Sequence, residues 1–350
     1  MNSITIGMDL GDKNHEVCVL NNDGLIKEQR TVDNTKEALI AFFRKYKGAS
    51  VAMEAGTHSP WISRELDSLG CKALVGNPRK LRVIWDSDDK ADLRDAEMLG
   101  RIARFDERLL HPVNHRGKQA QVDLKILQAR DSLVKSRTHL INHVRSSVKS
   151  IGERLPGCGP EVFHKKASSS MPECLAEILA PVLDIIGNLT EQIKKYEHTI
   201  ETVSKDRYPE TELLRAVKGV GPLTALAYIL IIEDPLRFSN SRQVGKFVGM
   251  VPRRDQSGET DKQLRITKAG NSFLRRLLVG AAQYILGPFG EDCNLRRFGL
   301  RLSARGGKNT KRRAVIAVAR KLAVLLHRLW KNGEEYKPLY KPQEISAKAA

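Results

Sequence analysis

Residues 4–30 constrain the fold more than any other stretch of the chain. Residues 4–10 (Ile-Thr-Ile-Gly-Met-Asp-Leu) read as a buried strand, and residues 16–20 and 25–30 as two more. Between the last two stands Asn21-Asn22-Asp23-Gly24, whose residue types accept the backbone angles of a tight hairpin. The chain therefore opens with three antiparallel strands. Helical periodicity follows over residues 35–46, where Leu39, Ile40, Phe42 and Phe43 recur on one face. Residues 50–53 read as a short strand ending at Glu54, residues 60–69 as a helix with Pro60 in its first turn, and residues 71–75 as another strand. Residues 96–105 are apolar at helical spacing, through Met98, Leu99, Ile102 and Ala103.

Three antiparallel strands, then strands joined by helical crossovers, is the order of a ribonuclease-H-like sheet. We expect this α/β domain over residues 1–110, with His111-Pro112 breaking the chain. Residues 119–149 and 173–205 read as long charged helices joined by a loop at 155–172, so residues 111–208 are expected to form a coiled-coil or helical spacer. Residues 209–332 are expected to form an all-α C-terminal domain. In it, Lys218-Gly219-Val220-Gly221-Pro222 separates two short helices at 213–232, a helix-hairpin-helix pattern whose turn amides can hold a phosphate. A plain tight turn is the alternative. Helices are expected over 240–248, 271–286 (with Ser272 as its cap) and 314–330, a polar loop over 249–270 and a basic loop over 296–313. Residues 333–350 read as a flexible tail.

Charge then assigns work to the two ends. The 350-residue chain has a net charge of +18. Residues 1–110 carry 17 Lys and Arg against 18 Asp and Glu, whereas residues 261–350 carry 20 against 6. This suits chemistry in front and polyanion binding behind. Aromatic residues are few, which favours nucleic acid over a membrane surface as the partner. No run is long and apolar enough to span a bilayer and residues 1–7 lack signal-peptide character, so a cytoplasmic, nucleoid-associated protein is expected. The five cysteines are scattered with no Cys-x-x-Cys pair, which fits a reducing compartment and argues against structural zinc.

Four carboxylates form the candidate site. Asp9 stands at the middle or end of the first strand, flanked by Gly7 and Gly11, and Glu54 ends the next parallel strand. In a ribonuclease-H-like sheet these strands are neighbours. Asp92 and Asp95, three residues apart, leave one face of a helix that follows. Alone, that pair could be an acidic helix start favoured by the dipole. Four converging carboxylates, however, cannot all stay ionised without cations. Mg²⁺ fits carboxylate-plus-phosphate ligation, and two such ions about 4 Å apart can activate one oxygen and stabilise another in a phosphodiester displacement. Asp12, Asp86, Asp88 and Asp89 read as solvated loop acids.

At this point the chain resembles a family. Gly-Met-Asp-Leu-Gly at 7–11, Met-Glu-Ala-Gly at 53–56 and Lys-Ala-Asp-Leu-Arg-Asp-Ala at 90–96 look like the DEDD transposases. These are the Piv-type DNA invertases and their insertion-sequence relatives, the bridge-RNA-guided recombinases. Val-Lys-Gly-Val-Gly-Pro-Leu-Thr-Ala at 217–225, Phe-Val-Gly-Met-Val-Pro-Arg at 247–253, Gln-Ser-Gly at 256–258 and Arg-Ile-Thr-Lys-Ala-Gly-Asn-Ser-Phe-Leu-Arg-Arg at 265–276 extend the likeness in the family's order. Ala91 departs from it where Thr is more usual, and Gln256 where many members have a second Ser. The resemblance implies that Asp9, Glu54, Asp92 and Asp95 are RuvC-like ligands of Mg²⁺ or Mn²⁺, held as a pair of ions. It implies that Ser257 is a nucleophile forming a covalent phosphoserine link to DNA. It further implies an element-encoded non-coding bridge RNA that pairs with donor and target DNA, and assembly as a dimer or tetramer. The alternative is a metal-dependent hydrolytic nuclease of the junction-resolvase type, without a covalent intermediate. A non-enzymatic nucleic-acid-binding protein is a further rival.

Read physically, Ser257 has Gly258 beside it, which permits close backbone approach, and Arg253, Arg254, Lys262 and Arg265 nearby to hold a phosphate. A serine hydroxyl needs activation, and no histidine lies within fifty residues on either side. Gly219, Gly221, Lys268, Arg275, Arg276, Arg312 and Arg313 complete the expected nucleic-acid surface, with Arg296, Arg297, Arg301, Arg305, Lys308 and Lys311 as further cations.

Overall fold

The computed structural model describes residues 4–81, 92–257, 260–307 and 309–339. The chain divides into two compact units, residues 1–116 and 117–350.

The first unit is built on one sheet. β1 (Thr5–Leu10), β2 (Asn14–Leu20) and β3 (Ile26–Asp33) run antiparallel, and the turn at 21–25 closes with Asn21 Oδ1 accepting from the amides of Asp23 and Leu25. α1 (Lys36–Phe43) starts where the Thr35 hydroxyl accepts from Ala38 N, a side-chain cap on an otherwise orphan amide. It crosses to β4 (Ser50–Glu54), which pairs parallel with β1, and α2 (Ser59–Ser68) crosses to β5 (Lys72–Gly76), parallel with β4. The strand order is β3-β2-β1-β4-β5. This is the expected ribonuclease-H-like arrangement of strands and crossovers.

Strand alternation sorts the two faces. Ile6, Met8, Val17, Val19, Val51 and Met53 point to one side, where Leu39, Phe42 and Phe43 of α1 and Ile62 and Leu66 of α2 cover them. Gly7, Cys18, Leu20 and Ala52 take the other side, beneath α3 (Asp92–Phe105). α3 reaches the sheet at backbone distance. A Cβ on Gly7 would lie 1.8 Å from Ala96 O, and one on Gly100 would lie 3.0 Å from Gly7 N. The far end of α3 is tied down too: the Arg104 guanidinium donates to Asn21 O and Asn22 O, and Arg101 to Gly24 O. The first hairpin turn thus holds the helix that crosses its own sheet.

The second unit is helical apart from one hairpin. α4 (Lys118–Ser150) and α6 (Glu173–Arg207) are long helices packed side by side. Between them, residues 155–172, read as loop, contain α5 (Phe163–Ser169). The reason is local burial: Phe163 and Ala167 fill the space between Ile141, Val144, Leu179, Leu183 and Ile186. Near the other end, Asp123 is only 1% exposed yet charge-satisfied, accepting from the Tyr208 hydroxyl at 2.8 Å and facing Arg207 at 3.0 Å. α7 (Thr211–Arg215) and α8 (Pro222–Ile232) follow. α8 is apolar on every side because it is the centre of the core, wrapped by the long helices and by those that follow.

Those later elements are α9 (Arg242–Phe247), β6 (Pro252–Ser257), β7 (Thr260–Ile266), α10 (Ser272–Leu286), α11 (Asn294–Ser303) and α12 (Thr310–Asn332). Three readings change here. Residues 249–270 hold an antiparallel hairpin, not a loop. The basic stretch 296–313 is mostly helix, because Leu295 and Gly299 of α11 pack into the core while Arg297 and Arg301 lie on the exposed side. Asn271, not Ser272, caps α10, accepting from Leu274 N at 2.9 Å. Among the described residues no helix is long and apolar enough to cross a membrane. Asp86, Asp88, Asp89, Ala91, Gly258, Lys308 and the tail from residue 340 onward lie outside the described residues.

The glycine contact generates a stability prediction. Gly7→Ala must lift α3 from β1, because the obstacle is backbone rather than a movable side chain. The expected cost is about 3 kcal/mol or more, read as a thermal-melting shift. An unchanged midpoint would show that α3 does not bear on the sheet at this point.

Candidate active site

Asp9 follows Gly7 by two residues on β1 and Glu54 follows Ala52 by two on β4, so both carboxylates leave the face that α3 covers. The parallel register sets Gly7 opposite Ala52 and Met8 opposite Met53, which makes the acids neighbours at the carboxyl ends of adjacent strands. Asp92 and Asp95 occupy the first turn of α3. The glycine contact therefore brings the helix start toward the strand ends.

The electrostatics register this crowding. Burial pushes the Asp9 carboxyl above the usual range, and the charges of Asp92 and Asp95 push it further. Glu54 is pushed up to about 7, first by burial and then by Asp9 and Asp95. Its Oε1 is buried with no hydrogen-bond partner. An orphaned carboxylate oxygen in an all-oxygen set of acids fits a hard divalent cation. Among the described residues, no group of three His, Cys, Asp or Glu side chains is already gathered closely enough to hold a metal ion. Asp12 is exposed, as expected of a loop acid, with His58 Nε2 3.4 Å from its Oδ1.

The second candidate element is the β6–β7 hairpin, whose first strand ends at Ser257, opposite Thr260. Arg253, Arg254, Lys262 and Arg265 are exposed on it, and exposed Lys268, in the left-handed region at φ 53°, follows β7. The base of the hairpin is a close backbone crossing. Gly249 and Gly270 both have positive φ, and a Cβ on either would meet a carbonyl at 1.9 Å, Ala269 O and Phe247 O respectively. Arg275 fastens the crossing by donating from Nη1 to Val248 O at 2.9 Å and Ala269 O at 3.3 Å. It supports the hairpin from within the protein.

Other expected phosphate ligands are similarly engaged. Arg276 pairs with Asp131 at 2.6 Å, Arg297 with Asp292 at 2.5 Å, and Arg296 donates to Ile285 O and Gly287 O. Arg312 and Arg313 are exposed in the first turn of α12. Gly219, at φ 92°, turns the chain between α7 and α8, and Gly221 caps α8. Sequence reading missed the functions of Gly7, Gly100, Arg104 and Arg275. A glycine inside a strand and another inside a helix are a readable hint of close backbone approach.

Two family models match the chain. Residues 6–152 match the DEDD transposase model of the IS110 type, and residues 211–290 match the one described as the transposase IS116/IS110/IS902 family. The chain belongs to the IS110 family of DEDD transposases. Within that family it is 28% identical to the transposase for insertion sequence element IS1111A of Coxiella burnetii, over 95% of this chain and 91% of the relative. It is also 28% identical to a probable family 20 transposase of Pseudomonas aeruginosa, over 82% and 85% respectively. A pilin gene-inverting protein of Moraxella lacunata is 27% identical over 41% of this chain and 44% of its own. An IS110-family DEDD transposase is a DNA-processing enzyme whose DEDD domain uses divalent metal. The first match contains Asp9, Glu54, Asp92 and Asp95, and the second contains Ser257 and the hairpin.

Two measurements check the site. Glu54 has its folded pKa near 7 and an ordinary value of 4.5, so the fold favours its protonated form. That contribution is full below pH 4.5, declines as pH rises toward 7 and is gone above it. Melting of wild type should therefore lose on the order of 2 kcal/mol across this window relative to Glu54→Gln. Parallel pH profiles for the two proteins would contradict the crowding. Separately, Arg275→Ala should cost about 1–3 kcal/mol and speed proteolysis within residues 252–266, and an unchanged cleavage rate would remove the fastening role.

Proposed function

We propose that this transposase cuts and rejoins the DNA strands of an insertion sequence through a covalent phosphoserine at Ser257. In this reading Asp9, Glu54, Asp92 and Asp95 hold Mg²⁺ or Mn²⁺ as a pair of ions. The observation that carries the metal assignment is the half-buried Glu54 carboxyl, whose buried Oε1 has no hydrogen-bond partner and which is pushed up to about 7 among other acids. Bound divalent cations supply Lewis-acid stabilisation of the charge on the reacting phosphate oxygens.

The chain's own residues carry the rest. The Ser257 oxygen forms a bond to the scissile phosphorus, the bond to one deoxyribose oxygen breaks, and that leaving oxygen takes up a proton. A hydroxyl of the partner strand then attacks the phosphoserine and restores the serine. Arg253 and Arg254 precede Ser257 on β6, and Lys262 and Arg265 lie on the paired strand, so four exposed cations share the hairpin with the nucleophile. Their charge would hold the scissile phosphate and stabilise it as charge develops. Arg275 positions the hairpin rather than the phosphate.

The wider reading follows the family. Residues 1–110 are the RuvC-like catalytic domain, 111–208 a coiled-coil spacer, 209–332 the Ser-bearing domain and 333–350 a tail. Gly219 and Gly221 form a helix-hairpin-helix turn. Donor and target DNA, a bridge RNA from the element and further copies of the chain are the partners. Support comes from the named relatives, one a transposase of an insertion sequence and one a pilin gene-inverting protein.

The decisive comparison is between cleavage and adduct formation. Ser257→Ala should abolish the covalent protein–DNA adduct and strand exchange together, with metal binding retained. Asp9→Asn should abolish both cleavage and adduct. If Ser257→Ala still cleaves DNA at the wild-type rate, the hydrolytic nuclease reading replaces this one.

A further inference from the structure

The second unit carries a groove of about 570 Å³ between α9, α11, α12 and the segment 336–338. It is not part of the hairpin or the carboxylate edge. Its floor is apolar, with Phe298 on α11 and Val324 and Leu325 on α12 half-buried. Its rim is cationic. Arg242, Arg320, Lys321, Arg328 and Lys337 line it, and among the described lining residues there is no acid. Arg328 pairs with Glu334 at 3.3 Å. One wall is fastened where Asn294 N donates to Pro338 O at 2.8 Å, which keeps Tyr336 against the opening.

We propose that this groove binds unpaired nucleotides of a single-stranded nucleic acid, the bases entering the apolar floor and the phosphates lying on the cationic rim. The inference rests on the polynucleotide reading above and adds to it a site and a strandedness. Three observations carry it. The volume lies in the range of small-ligand sites, roughly 300–1,000 Å³, and so admits a nucleotide. Ring and cation are adjacent, with Lys321 Nζ 3.9 Å from the Phe298 ring centroid, as base and phosphate are adjacent in a nucleotide. The rim charge is of one sign, which suits a polyanion.

Strandedness follows from shape. A paired duplex presents phosphates outside and stacked bases inside, so it could touch the rim but leave the floor unused. An unpaired strand can splay a base onto an aromatic ring and pass its backbone along the rim. Either DNA or RNA supplies this chemistry.

The test uses the full-length protein with fluorescent oligothymidylate, oligouridylate and a duplex of equal length. Phe298→Ala should weaken both single strands about tenfold, the effect of losing roughly one stacked base, and leave the duplex and the salt slope unchanged. Arg320→Glu with Lys321→Glu, both exposed and therefore tolerated by the fold, should reduce the slope of log affinity against log salt for single strands by roughly 1–2. A base-directed photocrosslink should map to Phe298 or Tyr336. Single-strand affinity unchanged in all variants, or equal competition by polyglutamate, overturns the groove while leaving duplex binding to stand. Wild type that binds neither strand nor duplex overturns the polynucleotide reading itself.

Discussion

The first unit depends on one contact: the backbone of α3 lying directly on the backbone of β1 at Gly7 and Gly100. Side chains hold most helices about 10 Å from a sheet or another helix. Here two glycines remove that spacing, and Ala96 adds a third small residue beside them. Asp9 sits two residues beyond Gly7, and Asp95 directly precedes Ala96. Close packing and charge crowding are therefore one event. The dispersion gained along the contact offsets the repulsion it creates at the helix start. Arg101 and Arg104, anchored on the first hairpin turn, hold the same helix from its other end.

The second unit solves a related problem by different means. Its hairpin projects exposed cations, which repel one another, so its base needs a rigid mount. Gly249 and Gly270 let two backbone segments cross, and Arg275 satisfies carbonyls on both. Behind the mount lies α8, buried on all sides. Asp123, buried with Tyr208 and Arg207, fixes where the long helices enter that core. The unit thus places its exposed cationic residues on a backbone fastened at the hairpin base.

Much of the fold was legible because periodicity and turn chemistry speak locally. The hairpin residues 21–24, the helical spacing at 96–105 and the long charged helical patterns at 119–149 and 173–205 led to elements within a few residues of those observed. Local pattern failed where tertiary packing decides. Phe163 and Ala167 become helical because a gap between long helices accepts them, and residues 294–303 because Leu295 and Gly299 reach the core. At the candidate site the identities of Asp9 and Glu54 were readable from their positions at strand ends. Their crowding was not, since it is set by Gly7 opposing Gly100 across 93 positions of sequence. Arg275 shows the same limit. Its charge reads as a phosphate ligand, whereas its geometry spends that charge on Val248 O and Ala269 O.

The claim that joins packing to chemistry is that the acids gathered by α3 are completed by a divalent cation that displaces the Glu54 proton. Titration calorimetry of the full-length protein with Mn²⁺, run at pH 7 in buffers of differing ionisation enthalpy, measures that exchange directly. The account predicts saturable binding with about half a proton released from Glu54 at pH 7 and almost none by about pH 9, and loss of that release in Glu54→Gln. Absence of Mn²⁺ binding, or binding whose proton release is the same in Glu54→Gln as in wild type, would contradict it.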